Sequence, residues 1–390
     1  GEDQPMSERQ VFRGRAWAAG AIHDDVVVAI EEGMIADVRL ASRVDDPEPN
    51  LGDGVLVPGF IDAHVHGGAG ADFMDGAPEA VRAICAYHLR HGTTALAATT
   101  LSGSRDAVGA AIVAAADVAA EQADSEAAIV AVNLEGPYLN PQKAGAQDPA
   151  SIRAADLEEM RWWRGLAADL PFLMTVAPEA AGVLDLIHAF RHDVCFAIGH
   201  TAATYTQATL AIEAGARHFT HLFNAMPPLH HREPGAIGAA LADERCTVEL
   251  IADGIHLHHA ILHVMGAQLH DRAILVTDAM RAAGMPDGTY SLYQHQVTVR
   301  DGAARLADGA LAGSVLTTAQ AVRNMIELAA LPIEAVLPFA TTIPARLLGI
   351  GDSKGRIAVG YDADLLVLSP RLEIERVIAR GREITPGKRQ

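Results

Sequence analysis

The chain has few cysteines, few aromatic residues and few basic residues for its length. Among 390 residues there are three cysteines, and aromatic residues make up 5%. The cysteines are far apart and form no CxxC motif, which opposes a disulfide framework and favours a reducing cytoplasm. Lysine and arginine number 30 against 49 aspartates and glutamates, for a net charge of −19. This charge opposes nucleic-acid binding, which requires a basic surface.

Long apolar runs are also missing. No apolar stretch approaches the roughly 20 residues that a membrane-spanning helix needs, and the acidic start GEDQP lacks the basic and apolar regions of a signal peptide. We therefore expect a cytoplasmic protein that does not bind membranes. The hydrophobic content of 50% and charged content of 20% are ordinary for a globular protein. The length suits one large domain with a smaller one.

The chain does contain a regular series of short apolar runs separated by alanine-rich segments. The eight runs cover residues 55–66, 92–101, 129–135, 172–179, 194–200, 216–221, 247–256 and 273–278. Continuous apolar runs are typical of buried parallel strands, and alanine and leucine favour helices between them. The pattern predicts an α/β fold in which residues 58–340 form a (β/α)8 TIM barrel.

The two ends of the chain follow a different pattern. Residues 10–57 and the closing segment from residue 355 read as short strands joined by turns. Each end alone has too few strands to bury one face of a sheet. We therefore predict that residues 1–57 and 341–390 together form one small β-sandwich beside the barrel. A strand-like insertion, YSLYQHQVTVRDGAARL, follows the eighth barrel strand.

Side chains that can bind a metal end five of the eight runs. They are His64, His66, Glu135, His200, His221 and Asp278. A lone histidine at such a position is more often a hydrogen-bonded core residue. A barrel, however, gathers the C-terminal ends of its strands at one face, so six such residues predict an active site there.

The predicted ligands have the composition of a catalytic metal centre. Glu135, His200 and His221 provide one carboxylate and two imidazoles, which leaves a coordination position open for water. His64 and His66 lie two residues apart on one face of a strand and could hold a second ion. We expect one or two divalent metal ions per subunit. Zinc is the default expectation, and iron, manganese or cobalt suit the same ligands.

Other residues could act on a substrate. Asp278 could be a ligand, a general base or a helix cap, and we favour the base, which protonates a leaving amine. His256, at the end of the seventh run, could donate to a carbonyl oxygen. Arg232, in the loop 224–238, could bind an anion or be a solvated charge. Gly313 and Ser314 could bind a polar ligand at a helix start or simply cap that helix.

Several motifs resemble those of a known group of enzymes. PGFIDAHVHG and GRIAVGYDADLLVL resemble the amidohydrolase superfamily, whose members pair a metal-bearing barrel with a composite β-sandwich. Within it, the chain is similar to the N-acetylglucosamine-6-phosphate deacetylases through LEGPYLNPQKAGAQDP, IGHTAATY, THLFNAMPPLHHREPG, IADGIHLH, LVTDAM and LAGSVLTTAQAVRNM. The motifs occur in the same order, between about residues 55 and 368.

The resemblance implies a role for each matching residue. It implies that Glu135, His200 and His221 are metal ligands, that Asp278 is the catalytic acid and base, and that His256 polarises the acetamide carbonyl. The implied sugar-phosphate contacts are Ala146, Gln147, Asn224, Ala225, Arg232, Leu311, Ala312, Gly313 and Ser314. Glu135 stands where many superfamily members have a carboxylated lysine. Some members of the family lack the histidine pair and hold one metal, whereas this chain keeps His64 and His66, so a second metal is possible. The family is typically a homodimer with its phosphate site near the subunit interface.

The sequence therefore predicts a metal-dependent hydrolase. It would deacetylate N-acetyl-D-glucosamine 6-phosphate to glucosamine 6-phosphate and acetate, through attack of metal-activated water on the acetamide carbonyl. N-acetylgalactosamine 6-phosphate or another N-acyl compound is an alternative substrate, because the sequence does not separate epimers. A non-catalytic scaffold would not need Asp278, His256 and the three principal ligands together.

Overall fold

The computed structural model describes residues 9–387, and its central element is a sheet of eight parallel strands. In chain order they are Phe60–Val65, Thr93–Thr100, Ala128–Glu135, Phe172–Val176, Val194–Ile198, His218–Phe219, Thr247–Leu250 and Ala273–Leu275. Each strand pairs in parallel with the strand before it. The predicted (β/α)8 barrel is confirmed.

The barrel closes where the chain beyond the eighth strand runs beside the first strand. The amide of Asp278 donates to the carbonyl oxygen of His64 at 2.9 Å, and the amide of His66 donates to that of Ala279 at 2.9 Å. The buried carboxylate of Asp62 accepts from the Thr277 hydroxyl at 2.5 Å. This seam places Asp278 next to the histidine pair of the first strand.

A helix follows each barrel strand. These helices are Pro78–Arg90, Arg105–Ala120, Leu157–Leu166, Val183–Phe190, Tyr205–Ala214, Gly235–Ala242, His259–Gln268 and Thr318–Glu327. Side chains of Ser104, Asp156, Thr204 and Thr317 accept from the first free amides of their helices, which explains where those helices begin. Shorter helical segments are Phe73–Asp75, Pro141–Lys143, Ile333–Val336, Leu337–Ala340 and Thr342–Leu347.

Both ends of the chain meet in a second sheet. From edge to edge its seven strands are Arg382–Ile384, Ile374–Ala379, Leu365–Leu368, Val55–Pro58, Gln10–Ala18, Ala21–Glu31 and Met34–Leu40. Residues from both ends, including Phe12, Val28, Leu365 and Ile378, pack into one separate apolar core. The prediction of a small β domain built from both ends is confirmed. Its strands form one continuous sheet that folds over this core, instead of two separate sheets.

The domain boundaries at residues 57 and 340 remain a prediction. Helix Thr342–Leu347, assigned by sequence to the small domain, contacts the first and eighth barrel strands. Residues 1–8 and 388–390 of the predicted small domain lie outside the described residues.

The insertion after the eighth strand forms a small antiparallel sheet, as its sequence predicts. Its strands are Gly288–Leu292, His295–Arg300 and Ala303–Arg305. A two-stranded ribbon pairs Gly67–Gly68 with Ala71–Asp72. Across residues 9–387, every helix is too short or too polar to cross a membrane.

Candidate active site

The C-terminal face of the barrel gathers all six predicted ligands. His64, His66, Glu135, His200, His221 and Asp278 are all buried, and their side chains contact one another. Glu135 is the last residue of its strand, whereas His200 and His221 each lie two residues beyond theirs. The strand ends predicted from the sequence therefore do converge.

Three of these residues have a strained backbone. The φ angles are +46° at His200, +24° at His221 and +49° at Asp278. Residues other than glycine rarely adopt such angles, which cost on the order of 1–3 kcal/mol each and persist only where surrounding contacts impose them. Strain at half of the predicted ligands indicates that their positions serve function and not only folding.

Glu135, His200 and His221 form one compact group. The Nε2 atoms of His200 and His221 lie 3.0 and 2.9 Å from Glu135 Oε1, and 3.2 Å from each other. The Nδ1 atom of His200 lies 2.8 Å from the carbonyl oxygen of Lys143. Because a carbonyl oxygen only accepts hydrogen bonds, Nδ1 carries the proton and Nε2 directs a lone pair inward.

His64 and His66 form a second group that also uses Glu135. The Nε2 atom of His66 lies 3.1 Å from Glu135 Oε2 and 3.1 Å from Asp278 Oδ1. The two Nε2 atoms of the pair are 3.2 Å apart. His66 Nδ1 faces the carbonyl oxygen of Thr99 at 3.3 Å, and His64 Nδ1 faces the carboxylate of Glu249 at 3.0 Å. Both Nε2 lone pairs therefore point toward the other group.

These donors fit a metal centre. Lone pairs of imidazole nitrogens face carboxylate oxygens, and atoms that only accept repel one another unless a positive charge lies between them. There are two sets of possible ligands, His64–His66–Glu135 and Glu135–His200–His221. Within each set, the ligand atoms all lie within 4.8 Å of one another. Each set has two imidazoles and one carboxylate, which is a donor set that suits divalent metal ions.

The same contacts shift the pKa values of the group. Burial alone would lower the pKa of His66, but the carboxylates of Asp278 and Glu135 outweigh it and raise the pKa to about 9. Burial would raise the pKa values of Glu135 and Asp278, yet the facing imidazoles hold both below their ordinary values. The site therefore favours anionic carboxylates with positive charge beside them, which either protons on the imidazoles or a bound cation in their place would provide.

His256 lies in the loop after the seventh strand. The sequence predicts it at the strand end, but the strand ends at Leu250, so that position was wrong. Asp253 holds the imidazole, with its Oδ2 atom 2.6 Å from His256 Nδ1, while Oδ1 accepts from the amides of Ile255 and His256. Because Nδ1 is engaged, Nε2 is the ring nitrogen available to a ligand.

A cavity of about 380 Å³ opens onto the metal ligands. The site residues predicted from the sequence that line this cavity are His66, Glu135, Ala146, Gln147, His200, His221, Asn224, Ala225, His256, Asp278, Leu311 and Gly313. A pocket of this size suits a small ligand. Besides lining the cavity, Gln147 contacts a candidate ligand. Its Nε2 donates to Glu135 Oε2 at 2.6 Å, and its Oε1 accepts from the amide of Ser102.

Three predicted substrate contacts lie outside this lining. Arg232 is exposed, and its guanidinium lies 2.8 Å from the ring of His231. Ala312 and Ser314 are buried behind the pocket, where the Ser314 amide donates to the carbonyl oxygen of Asp278 at 2.8 Å. The predicted helix start at Gly313 and Ser314 was also wrong, since Thr317 caps the helix that begins at Thr318.

The sequence interpretation missed Glu249 and Lys143. Glu249 is a buried carboxylate within an apolar strand, the same signal that drew attention to Glu135. His218 contacts Glu249 from the neighbouring strand at 2.9 Å. Lys143 lines the pocket, and within residues 9–387 its ammonium has no carboxylate partner. Lys143 lies within the motif LEGPYLNPQKAGAQDP, but nothing in that motif singles it out, because its position at the pocket depends on the fold.

The sequence profile of the amidohydrolase family matches residues 55–384, which include all the candidate ligands and the base. This chain belongs to the amidohydrolase family. Among related amidohydrolases, the N-acetylglucosamine-6-phosphate deacetylase of Bacillus subtilis (strain 168) is 40% identical over 361 residues, which cover 91% of each chain. The N-acetylgalactosamine-6-phosphate deacetylase of Escherichia coli O157:H7 is 36% identical over 92% of this chain and 94% of its own.

A solved structure agrees with this assignment. The N-acetyl-D-glucosamine-6-phosphate deacetylase of Mycobacterium smegmatis, in complex with N-acetyl-D-glucosamine-6-phosphate, superposes on this amidohydrolase with a TM-score of 0.91. The two chains are 32% identical, and the match covers 97% of this chain and 99% of that one. The similarity therefore extends over the barrel and the small sheet together.

Proposed function

We propose that this amidohydrolase converts N-acetyl-D-glucosamine 6-phosphate to glucosamine 6-phosphate and acetate. The observation that carries the proposal is that one pocket is lined by Asp278, His256 and ligands from both candidate metal groups. The names of the Bacillus subtilis and Mycobacterium smegmatis proteins support the substrate. We assign catalysis to the barrel, residues 58–340, and a supporting role to residues 1–57 and 341–390.

In this proposal the chain holds one or two divalent ions, with zinc as the expected metal. Glu135, His200 and His221 would hold the first ion, and His64, His66 and Glu135 would hold the second. When bound, the ion acidifies water and polarises the acetamide carbonyl. Iron, manganese or cobalt would be compatible with the same nitrogen and oxygen donors.

Asp278 is the proposed general base and acid. Its carboxylate lies at the pocket, and contacts with the imidazoles hold its pKa below the ordinary value, so it is ionised at neutral pH. It accepts a proton from the attacking water while the oxygen–carbon bond forms. It then gives that proton to the sugar nitrogen as the carbon–nitrogen bond breaks, so that acetate and a free amine leave.

His256 is proposed to stabilise the carbonyl oxygen as negative charge builds on it. Its Nε2 atom is available because Asp253 engages Nδ1. When the ring is protonated, Nε2 carries a hydrogen that it can donate to this oxygen.

The phosphate requires a cation, because Glu135 and Asp278 make the pocket acidic. We assign this role to Lys143, which lines the pocket. Arg232 is exposed outside the pocket of its own subunit, so we propose a phosphate contact for it only within a homodimer. A cytoplasmic location is also proposed, supported by the three free cysteines.

N-acetylgalactosamine 6-phosphate is the second candidate substrate. The Escherichia coli relative named for it is 36% identical, against 40% for the Bacillus subtilis relative named for the gluco substrate. The gluco substrate is therefore favoured.

The test is acetate release from N-acetylglucosamine 6-phosphate, with the unphosphorylated sugar and the galacto epimer measured in parallel. We expect fast turnover of the phosphorylated gluco sugar alone. Faster turnover of the galacto epimer would reverse the substrate assignment. No acetate from any of the three, with zinc-loaded folded protein, would refute the proposed function.

A further inference from the structure

Glu249 is a carboxylate that lies next to both candidate metal groups. It belongs to the seventh barrel strand, Thr247–Leu250, and only 1% of its surface is exposed. Burying a carboxylate is costly unless hydrogen-bond donors surround it. The contacts of Glu249 therefore indicate what it does.

The carboxylate contacts one residue from each metal group. Glu249 Oε2 lies 3.0 Å from Nδ1 of His64, which belongs to the His64–His66 group. The same oxygen accepts a hydrogen bond from the backbone amide of His221 at 2.9 Å, and His221 belongs to the other group. A single oxygen atom thus fixes a ring on one side and a backbone segment on the other.

Each contact has a physical consequence for metal binding. Because Nδ1 of His64 donates to a carboxylate, Nε2 carries the lone pair and becomes a stronger electron donor. The backbone of His221 is held at a φ of +24°, a strained angle that the bond from its amide helps to maintain. Without Glu249, His64 would be free to adopt the other tautomer, and His221 could relax away from Glu135.

The third contact of Glu249 has no direct link to the ligands. Its Oε1 atom lies 2.9 Å from Nε2 of His218, whose Nδ1 lies 2.7 Å from the hydroxyl of Thr247. His218 occupies the second oxygen and leaves Oε2 to the ligands. This residue therefore offers a matched control at the same depth in the barrel.

We propose that Glu249 is a positioning residue that couples the two metal groups, so that one side chain sets the metal affinity of both. The inference depends on the proposed metal centre but not on the identity of the substrate. Its strongest effect falls on the His64–His66 group, where it contacts the ligand ring itself.

The experiment measures metal binding without turnover. Wild-type protein, Glu249→Gln, Glu249→Ala and His218→Gln are stripped with a chelator and titrated with Zn²⁺ by calorimetry. Cobalt-loaded samples give visible absorption spectra that report coordination. Circular dichroism and the melting temperature identify variants that fail to fold.

Glu249→Gln removes the charge and keeps the shape of the side chain. We expect it to weaken the binding of the lower-affinity Zn²⁺ ion about tenfold, because substitutions of residues that hydrogen-bond metal ligands typically cost 10- to 100-fold in affinity. Glu249→Ala removes the bonds to His64 and to the His221 amide and should weaken the binding of both ions. The Zn²⁺ affinities of His218→Gln should stay within about twofold of wild type. The visible absorption of cobalt at both sites should shift in Glu249→Ala, and the spectrum of cobalt-loaded His218→Gln should match that of wild type.

The outcomes separate this inference from the metal proposal itself. If wild-type protein binds no ion, the proposed metal centre fails. If wild-type protein binds two ions and folded Glu249→Gln binds both with unchanged affinity, the role of Glu249 is overturned. An equal loss in His218→Gln and Glu249→Gln would also overturn it, because general disturbance of the barrel interior would then explain the result.

Discussion

Beside the small sheet, the ammonium of Lys354 lies 2.6 Å from the carboxylates of both Asp362 and Asp364. At the barrel mouth, the ion-pair partners that Glu135 and Asp278 have among residues 9–387 are all histidines, whose inward nitrogens can bind a proton or a metal ion. Both clusters bury charge. In the first the cation is a side chain of the protein, whereas in the second the positive charge is left to be supplied from outside.

The difference separates a structural cluster from a functional one. The Lys354 cluster is complete as it stands, so removing its cation should affect stability and leave chemistry unchanged. The barrel-mouth cluster is incomplete without a cation, so removing one of its carboxylates should affect chemistry far more than folding. Substitutions in each cluster, and in the residues around the pocket, test this distinction.

The largest effect is expected from Asp278→Asn at the barrel mouth. The amide cannot accept the proton from water, so kcat for acetate release should fall about 10³-fold. The melting temperature should change little, because the substitution keeps the shape of the side chain. Asp271→Asn, the same change at a carboxylate with 69% exposure, serves as the control. A kcat within threefold of wild type would refute the base role.

The second prediction concerns the Lys354 cluster. Lys354→Met leaves two carboxylates without their cation, which should lower the free energy of unfolding by about 3 kcal/mol, as measured by urea titration, with kcat unchanged. Arg300→Met removes an exposed ion pair with Asp301 and should cost almost nothing. Equal losses in both variants would erase the distinction between a buried cluster and a surface pair.

The same cluster predicts a pH dependence. Burial would lower the pKa of Lys354, but Asp364 and Asp362 outweigh it and hold the pKa above 10.5. A raised pKa in the folded state gives stability that is complete below the unfolded value and lost as pH rises through the folded value. The stability gap between wild type and Lys354→Met should therefore be constant near pH 7 and shrink only above pH 10.5. A gap that closes below pH 9 would contradict this assignment.

Lys143 differs from both clusters, because it is a pocket cation that has no carboxylate partner within residues 9–387. Lys143→Ala should raise KM for the phosphorylated sugar about 30-fold, as expected for losing a hydrogen bond to a charged group, with kcat nearly unchanged. Lys143→Arg should recover most of the loss. Arg232→Ala is the competing variant: if it raises KM and Lys143→Ala does not, the phosphate contact belongs to Arg232.

The smallest expected effect is at Asp253, which acts through His256. Asp253→Asn keeps the acceptor for the amides of Ile255 and His256 but presents an NH₂ group to the imidazole. We expect kcat to fall about tenfold with KM unchanged, because the ring is held less well for donation. Asp253→Glu, which keeps the charge, should lose less. A change confined to KM would place His256 in binding instead of in the chemical step.

The sequence was informative about the barrel because each buried strand is an apolar run ending in a polar residue. Periodicity placed Glu135 and His221 at the ends of the third and sixth barrel strands, and the fold brought their side chains to 2.9 Å. It could not place His256, because a loop position depends on contacts such as that of Asp253. Nor could it show that Arg232 lies outside the pocket while Lys143 lines it. Periodicity carries no information on how a loop folds back or on the left-handed angles of the ligands.

The seam that closes the barrel joins residues far apart in the chain. Asp62 and Thr277, which bond across it, are separated by 215 positions. Because long loops close late and slowly, the proposed base reaches the histidine pair only after nearly the whole barrel has been synthesised and folded. A nascent chain that ends before Thr277 would contain five of the six candidate ligands but neither the seam nor the base. Activity should therefore appear in one step late in synthesis, which keeps partly made chains from acting on substrate.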